Sequence, residues 1–445
     1  MTAQGDLDRE RIGRLHAEEL ARFRGGRPRT LALIERARAH MPNGTPMAWM
    51  ASDNDQPIYV ASGDGPGFTD VDGFTYVDTN ASDMAMFGGH ANPAIVKAVT
   101  EQVSLSTQFL LPTEDSIAVA EELARRYPTQ THWQFTLSAT QANTEAIRLA
   151  RAVTGRDVVV LFHGHYHGHF DEGVVEIEDG VTAPYQRGVA KGVTGRVRIA
   201  EFNEPDVLAA ALAPGDVALV LTEPVMTNMI HLLQPVPGWH DELRRVTRDH
   251  GALLALDETH SHVIGAHGVT GLLGLDPDIV TLGKAVAGGI PMGVYGVTPA
   301  LADELDVERN VAIGGTLFGN PLSAAAARAA LTEVLTPDAY AHTAALGARL
   351  ADGIEAAIAD ADLPWTTIRF GPRSGQWYGP EPHTGSEAFA LTDMDLSRLM
   401  RIWLANRGIW EALPGAGPTM PIPATDADVD RYVEAYGDLL TALTA

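Results

Sequence analysis

The sequence predicts an α/β protein built around a mostly parallel sheet. From about residue 116 to residue 297, segments with helical periodicity alternate with short, almost fully apolar runs. The strands of a sheet that helices cover on both faces have this composition. The 445 residues are 45% hydrophobic, which is ample for a large packed core.

The amino-terminal region predicts two short helices, a hairpin and a third helix. Apolar residues recur at helical spacing between residues 6 and 40, with a break at residues 25–28, which include two glycines and a proline. Asp72 and Gly73 then separate two β-prone runs, a pattern that is typical of a hairpin turn. A capped helix is expected to begin near Pro93.

The central region predicts helices and buried strands in alternation. The predicted helices are Ser116 to Tyr127, Gln141 to Val153 and Trp239 to His250. The predicted strands are Val158 to Phe162, Val217 to Leu221, Ala252 to Leu256 and Ile279 to Leu282. Their order along the chain is that of a large α/β domain.

The carboxyl-terminal region predicts a smaller α+β domain. An alanine-rich helix begins at Asn320-Pro321, where proline suits the first turn, and continues to Leu335. A strand near residues 365–370, a helix over residues 395–406 and a terminal helix from Thr425 follow. Thr425 and Asp428 fit a capping box. We expect residues 66–335 to form the large domain, and residues 1–65 and 336–445 to form the small one.

The charge balance favours small-molecule ligands. The chain has 32 basic and 57 acidic side chains, a formal net charge of −25, and no cysteine. Nucleic acids and anionic membranes bind basic surfaces, which this excess of carboxylates opposes. No run approaches the ~18 apolar residues of a membrane span, and the first residues lack the apolar core of a signal peptide. We therefore expect a cytoplasmic protein with no nucleic-acid or membrane partner.

Two of the predicted strands end in residues that carry chemistry. The run that begins at Leu253 ends in Asp257 and Glu258, and the next run leads through Gly283 into Lys284. Ligands of open α/β sheets bind at the carboxyl ends of the strands, so these positions can place a carboxylate and an amine at one ligand. Taken singly, Asp257 could equally cap the following segment, and Lys284 could extend into solvent.

A third feature predicts a phosphate site. A predicted strand leads through Ser138, Ala139 and Thr140 into a helix. Hydroxyls and free N–H groups at a helix N-terminus bind phosphate, although Ser and Thr also cap many helices. Tyr166 and His167 follow another predicted strand and offer flat side chains that can stack on a ring. A phosphate site, an amine, a carboxylate and an aromatic platform together suit pyridoxal 5′-phosphate.

Eight motifs in order carry a resemblance to a known family. They are Phe68-Thr-Asp-Val-Asp-Gly73, Gly89-His90-Ala-Asn-Pro93, Ser138-Ala-Thr140, Tyr166-His-Gly168, Glu223-Pro-Val225, Asp257-Glu258, Gly283-Lys284 and Gly315-Thr316-Leu-Phe-Gly-Asn-Pro321. Over nearly its whole length the chain resembles class III, fold-type I pyridoxal-phosphate aminotransferases. In pattern it is most similar to the glutamate-1-semialdehyde aminomutase-like branch.

The resemblance implies a fold-type I architecture and a role for each motif. Lys284 is implied as the Schiff-base lysine and Asp257 as the partner of the pyridine nitrogen. Further cofactor contacts are implied for Ser138, Ala139, Thr140, Tyr166, His167, Glu223, Thr259 and Thr316. Thr316 is expected to reach the phosphate bound by a neighbouring subunit, which implies a homodimer with shared active sites.

The implied activity is that of an aminotransferase. An amino group would pass from an amine or amino acid to the cofactor, giving pyridoxamine phosphate, and then to a keto compound, with Lys284 moving the proton. An alternative is an intramolecular aminomutase of the glutamate-1-semialdehyde type. A more distant one, from another enzyme class, is a metal-dependent hydrolase using the histidine string His163, His165, His167 and His169. We expect no metal site.

Departures from the family pattern bear on the substrate. Relatives that act on β-amino acids carry an arginine in an early active-site loop or near the C-terminus. The corresponding stretches here, residues 46–50 and 413–418, contain none, and a planar carboxylate clamp needs that side chain. We therefore expect one substrate to present an apolar group to Trp49, Met50 and Trp410, unless these are plain core residues. Arg373 could still contact a carboxylate.

Overall fold

The structure is a computed structural model that describes residues 7–52, 58–178, 180–228, 231–305, 311, 313–411 and 417–445. Within these ranges, no helix combines the length and the apolar character that crossing a membrane would require.

Fifteen α-helices lie in the described part of the chain. They are α1 (Arg9–Gly25), α2 (Pro28–Arg38), α3 (Trp49–Ser52), α4 (Pro93–Leu105), α5 (Glu114–Arg126), α6 (Ala139–Thr154), α7 (Pro205–Leu212), α8 (Trp239–Asp249), α9 (Gly268–Leu272), α10 (Pro299–Ala302), α11 (Pro321–Ala329), α12 (Pro337–Asp360), α13 (Gly385–Ala390), α14 (Met394–Ala405) and α15 (Asp426–Thr444). Helices α5, α6, α8 and α14 begin and end within two residues of the predicted bounds, whereas the long helix α12 was not predicted.

The described strands include each one that the apolar runs predict. They are β1 (Val60–Asp64), β2 (Gly67–Asp70), β3 (Thr75–Asp78), β4 (His132–Thr136), β5 (Val158–Phe162), β6 (Val175–Glu178), β7 (Val181–Pro184), β8 (Val197–Ala200), β9 (Val217–Thr222), β10 (Leu253–Asp257), β11 (Ile279–Leu282), β12 (Gly293–Val297), β13 (Thr366–Phe370), β14 (Arg373–Trp377) and β15 (Ile409–Trp410).

One compact unit, Pro93–Tyr340 with Pro382–Ala390, contains a seven-stranded sheet. The strand order is β4-β12-β11-β10-β9-β5-β8. β12 pairs antiparallel with both of its neighbours, and the pairs among the other strands are parallel. This mixed, largely parallel sheet with its helices confirms the predicted α/β class.

The middle of this sheet is buried on both faces. Every residue of β5 and β9 is buried, including Val160, Leu219 and Val220 at 0% exposure. Each such side chain removed from water contributes roughly 1.5–3 kcal/mol of hydrophobic stabilisation. The apolar strands therefore form a rigid base that holds the loops at their carboxyl ends.

The alanine-rich helix departs from its predicted course. α11 ends at Ala329, and Ala330–Val334 form one turn of π-helix, whereas the sequence predicts a regular helix to Leu335. The buried Arg126 guanidinium donates to the carbonyl oxygens of Leu331 and Leu335. Because a charged side chain satisfies these carbonyls, the wider turn is stable, and this long-range contact is invisible in local periodicity.

The second compact unit comprises Met1–Asn92, Ala341–Glu381 and Leu391–Ala445. Its four-stranded sheet has the order β1-β2-β3-β15, and β13 and β14 form a separate hairpin. β2 and β3 form the hairpin predicted around Asp72-Gly73. Since β3 pairs with the late strand β15, this structure groups residues 66–92 with both termini. The predicted domain division at residues 65 and 335 stays a prediction.

The last helix shows how local sequence sets a boundary. α15 begins after Thr425, whose side chain and that of Asp428 form the predicted capping box. The Thr425 N–H donates to the Asp428 carboxylate at 2.9 Å. This exchange satisfies donors that the first helical turn leaves without partners.

Candidate active site

Asp257 and Lys284 lie at the same edge of the large sheet. β10 and β11 are parallel neighbours, and Asp257, the last residue of β10, is in register with Thr281. Lys284 follows β11 after a single extended glycine. The structure thus places both residues at the carboxyl ends of adjacent strands, where the sequence predicts a ligand site.

Lys284 has an unusual backbone conformation. Its φ of 54° lies in the left-handed region, and a short 3₁₀ turn begins at this residue. Such a conformation costs a non-glycine residue on the order of 1–3 kcal/mol and is found preferentially at functional sites. Lys284 is half-buried and is one of three lysines in the chain, with Lys97 and Lys191, which are both exposed.

Asp257 is a buried carboxylate held by three donors. Its Oδ2 accepts from the Asn143 amide at 2.7 Å and lies 2.9 Å from His167 Nδ1, and its Oδ1 accepts from the Thr259 N–H at 3.0 Å. Burial alone would raise the pKa of Asp257. His167, Thr259 and Asn143 outweigh it and lower the pKa to about 2. The carboxylate therefore stays ionised at neutral pH and can hold a proton on a nearby ring nitrogen.

Asn143 and Thr281 are positioning residues that the sequence analysis missed. Asn143 donates to Asp257 and to the His167 carbonyl oxygen at 2.8 Å, while its own oxygen accepts from the Thr281 hydroxyl at 2.7 Å. One signal was available, since Asn143 lies one helical turn after Thr140 and shares its face of α6. Nothing in the sequence indicates the role of Thr281.

The start of α6 carries the three residues that the sequence predicts as a phosphate site. Ser138 caps this 16-residue helix, its hydroxyl accepting from the Gln141 N–H, and Ser138, Ala139 and Thr140 are half-buried. The first N–H groups of a helix have no partner within it and attract anions. A side chain at Gly283 would place its Cβ 2.9 Å from the Ala139 side chain. Glycine thus permits the close approach of the two segments.

The Tyr166-His167-Gly168 motif packs against this helix start. Gly168 has a φ of 115°, and a Cβ there would lie 2.2 Å from the Thr140 hydroxyl oxygen. Only glycine fits this approach. The motif therefore brings the half-buried Tyr166 and the buried His167 to the same edge of the sheet as Asp257. The stacking of Tyr166 on a ring stays a prediction.

The four histidines of the string form hydrogen bonds with four different groups. The ring nitrogens of His163, His165, His167 and His169 contact Glu176, the Phe162 carbonyl, Asp257 and Gln186, respectively. Within the described ranges, no group of three or more potential ligand side chains is arranged to hold a metal ion. This geometry gives the metal-hydrolase alternative no support.

Glu223 reaches the lysine through two intermediate side chains. Its carboxylate accepts from both the backbone N–H and the hydroxyl of Thr227. The Thr227 hydroxyl lies 3.0 Å from His260 Nδ1, and His260 Nε2 lies 2.6 Å from Lys284 Nζ. The sequence analysis singled out Glu223 and missed the contact of His260 with the lysine.

Thr316 lies on an exposed turn. Its carbonyl oxygen accepts from the side-chain amide of Gln108 at 2.5 Å, and the adjacent Leu317 is 49% exposed. The expected reach of Thr316 to a neighbouring subunit stays a prediction.

The four substrate candidates lie in the other compact unit. Trp49 and Met50 begin α3 and are each 38% exposed. Trp410 packs edge-to-face with its ring centroid 5.9 Å from Phe68 and 5.6 Å from Tyr76, as a core residue would. Arg373 begins β14 and is buried. Their substrate roles stay predictions, and residues 412–416 of the C-terminal loop lie outside the described residues.

His165 is expected to make stability depend on pH. Burial lowers its pKa to about 4, the charge of His167 adds to this, and Glu176 opposes it. An unfolded histidine titrates near ~6.5. Between pH 4 and this value, the unfolded chain therefore binds a proton at His165 and the folded chain does not. This stabilisation is complete above pH ~6.5 and is lost as the pH falls towards 4.

We expect acidification from pH 7 to pH 5 to lower the free energy of unfolding, and His165→Asn to reduce that fall by about 2 kcal/mol. Asparagine can still donate to the Phe162 carbonyl that His165 contacts. Urea unfolding at the two pH values measures the effect. The exposed His169→Asn is the control. An equal fall in the free energy of unfolding from pH 7 to pH 5 in the two variants would contradict the prediction.

Comparisons with known proteins decide the family. Residues 49–369 match the family model described as aminotransferase class-III. The chain belongs to the class-III aminotransferase family. It is therefore an enzyme of the pyridoxal-phosphate-dependent, fold-type I group, as its motifs predicted.

Relatives of this class-III enzyme match more than nine-tenths of the chain. A glutamate-1-semialdehyde 2,1-aminomutase of Roseiflexus castenholzii is 36% identical over 424 residues, 93% of this chain and 98% of that protein. The solved glutamate-1-semialdehyde aminomutase of Pseudomonas aeruginosa PAO1, in complex with PMP, is 37% identical with a TM-score of 0.93 and covers 98% and 99% of the two chains. A solved transaminase with PLP bound is 29% identical, has a TM-score of 0.85 and covers 94% and 98%.

The cofactor of this class-III enzyme is pyridoxal 5′-phosphate. The residues at the sheet edge fit that group: an ionised buried carboxylate, an amine, and a half-buried helix N-terminus. Among the described residues, the buried Thr259 hydroxyl lacks a hydrogen-bond partner within the chain. A polar group buried without a partner is costly, so a ligand atom at this point would satisfy it.

Proposed function

We propose that this enzyme isomerises a small amino-carbonyl compound by a 2,1-shift of the amino group, as a glutamate-1-semialdehyde aminomutase does, with its cofactor held between Asp257 and Lys284. The observation that carries the chemistry is the placement of these two residues at the ends of adjacent parallel strands. The similarity to named aminomutases over 93% of the chain supports the choice of reaction.

Each residue of the site has one task in this proposal. Bound pyridoxal phosphate supplies an aldehyde carbon for amines and a ring that withdraws electrons. Asp257 holds the ring-nitrogen proton because its own pKa, about 2, keeps it anionic. Ser138, Ala139 and Thr140 hold the phosphate through hydroxyls and N–H groups.

Lys284 holds the cofactor and moves the proton. Its Nζ takes a proton from the substrate carbon next to nitrogen and returns it at another atom. Tyr166 would contact the ring of the cofactor, and Thr259 would bond the cofactor through its buried hydroxyl. Asn143 and His167 keep the Asp257 carboxylate in place.

Intermolecular amino transfer is the second candidate. The sequence analysis put it first, and the solved transaminase, at 29% identity, supports it. More similar relatives are named aminomutases, which favours the intramolecular shift. Both reactions use the same Lys284 and Asp257 and differ in whether one molecule supplies both functional groups.

Two incubations separate these candidates. Glutamate-1-semialdehyde alone is given to the enzyme, and the isomer with the amino group on carbon 1 is measured. Separately, an arylalkyl amine or β-amino acid is given with a keto acid, and the new amino acid is measured. Isomerisation without a second substrate supports the proposal; exchange between two molecules with no isomerisation assigns an aminotransferase.

We also propose that the enzyme is a homodimer with shared active sites. An apolar segment begins at the last residue of α4 and includes Leu105, Leu110 and Leu111, which are 75%, 71% and 69% exposed. The Gln108 side chain ties this segment to the carbonyl of Thr316, the residue expected to reach a second copy. Contiguous exposed leucines are costly in water and mark association surfaces. Because Gln108 ties these leucines to Thr316, we propose that a second copy of the chain covers them.

Leu111→Asp is expected to weaken the dimer at least about tenfold, because it places a charge in an apolar interface. Sedimentation velocity should find the unchanged enzyme at twice the chain mass of 47.5 kDa and the variant shifted towards one chain. Leu272→Asp alters a leucine of similar exposure on α9 and serves as the control. Equal masses for the two variants would count against this surface.

A further inference from the structure

Four side chains form a continuous chain of hydrogen bonds that ends at the lysine amine. His260 Nε2 lies 2.6 Å from Lys284 Nζ, and His260 Nδ1 lies 3.0 Å from the Thr227 hydroxyl. The hydroxyl contacts Glu223 Oε2, which itself lies 3.7 Å from His260 Nδ1. Glu223, Thr227 and His260 are at most 4% exposed, so water does not interrupt the chain.

In this series of hydrogen bonds, each group donates to the next one in the direction from Lys284 to Glu223. An ionised carboxylate only accepts, so the single hydroxyl proton of Thr227 goes to Glu223. The Thr227 oxygen then accepts, which requires a proton on His260 Nδ1. In neutral histidine the other ring nitrogen carries the lone pair, so Nε2 is the acceptor that faces the Lys284 amine.

The groups around the His260 ring support this assignment, with the proton on Nδ1 and the lone pair on Nε2. The amide nitrogen of Asn228 lies 3.4 Å from both ring nitrogens. Because it is equally far from both, it does not select either tautomer. Lys284 and Glu223 are charged groups near the ring, and His262 interacts with it electrostatically. The Glu223 carboxylate lies 3.7 Å from Nδ1, so it attracts the positive charge of a ring that has received a proton from the lysine.

We propose that His260 is a catalytic residue that accepts a proton from Lys284, with Thr227 and Glu223 as positioning residues that fix its tautomer. In this step an N–H bond of the lysine ammonium breaks, a proton binds His260 Nε2, and the lysine keeps the electron pair. The resulting neutral amine can attack the cofactor aldehyde or take a proton from substrate. The inference rests on the proposed role of Lys284.

The test measures how fast cofactor-free protein captures pyridoxal 5′-phosphate covalently, followed by the visible absorbance that appears. Borohydride reduction and peptide mass analysis then show which of the three lysines carries the group. His260→Gln keeps a side chain near Lys284 that accepts a hydrogen bond but cannot take the proton. We expect it to slow capture about 10²-fold, within the usual range for proton-transfer groups.

Thr227→Val tests the positioning role, because it removes the hydroxyl and keeps the shape. We expect capture to slow about tenfold and the nitrogen NMR signals of His260 to lose the Nδ1–H tautomer. Thr247→Val is the matched control: this hydroxyl is equally buried and bonds the Arg244 carbonyl in α8. The control should match the unchanged protein in both readouts.

The possible outcomes separate the inference from the proposed function. Wild-type capture rates in both His260→Gln and Thr227→Val, with Lys284 labelled, would overturn the inference and leave the function intact. Wild-type capture in His260→Gln alone would also overturn it, since a hydrogen bond without proton acceptance would suffice. Labelling of Lys97 or Lys191 in place of Lys284 would overturn the proposed function itself.

Discussion

Lys284→Ala is expected to lower turnover about 10⁶-fold, the usual loss when the group that forms the covalent bond is removed. The variant keeps the helix N-terminus and Asp257, so it should still bind the cofactor without forming a covalent link. Turnover assays and the visible absorbance of the purified variant measure the two effects.

Lys97→Ala is the matched control for this prediction. Lys97 is exposed on α4, and its removal should leave turnover, absorbance and the mass of the borohydride-reduced peptide unchanged. Turnover within about tenfold of the unchanged enzyme in Lys284→Ala would refute the assigned role. The expected result is a folded variant that binds the cofactor, lacks the absorbance of the covalent link and turns over about 10⁶-fold more slowly.

Asp257→Asn should reduce kcat by about 10²–10³ while Lys284 still captures the cofactor. Asparagine keeps the shape of the side chain but cannot stabilise a positive charge on the ring nitrogen, and losing one electrostatic group of this kind costs about 3–4 kcal/mol of transition-state stabilisation. Asp257→Glu should recover part of the loss because it restores the charge. Steady-state kinetics and absorbance spectra check both variants.

Asp278→Asn is the control for damage to the fold. Asp278 precedes β11 and bonds the Arg244 guanidinium and the Leu254 N–H at 2.8 Å each. Its substitution should lower stability and leave the cofactor absorbance in place. If Asp257→Asn loses stability alone and keeps its kcat, Asp257 is a structural residue.

Sequence patterns were sufficient for the central parallel strands β5, β9, β10 and β11 and for the polar residues at their ends, but they did not predict β8 or the antiparallel β12. β5 and β11 have the predicted bounds, because buried strands are continuous apolar runs with sharp polar ends. Asp257 ends β10 and Lys284 follows β11 after one glycine, so their proximity follows from the parallel pairing of these two strands.

Contacts between distant segments could not be predicted in this way. The π turn after α11 depends on Arg126, some two hundred residues earlier in the chain. The contact between His260 and Lys284 depends on the path of a loop, and Thr227 lies in irregular structure after β9. No periodicity marks such positions, since their partners are set by tertiary structure.

The left-handed backbone at Lys284 also has a consequence for how the site assembles. The backbone angle belongs to the polypeptide and is set by the extended glycine before it and the tight turn after it. The amine is therefore pre-organised before any cofactor arrives. Strain of about 1–3 kcal/mol is stored in the folded protein, so the energetic cost of orienting the nucleophile falls on folding and is not repeated in each catalytic cycle.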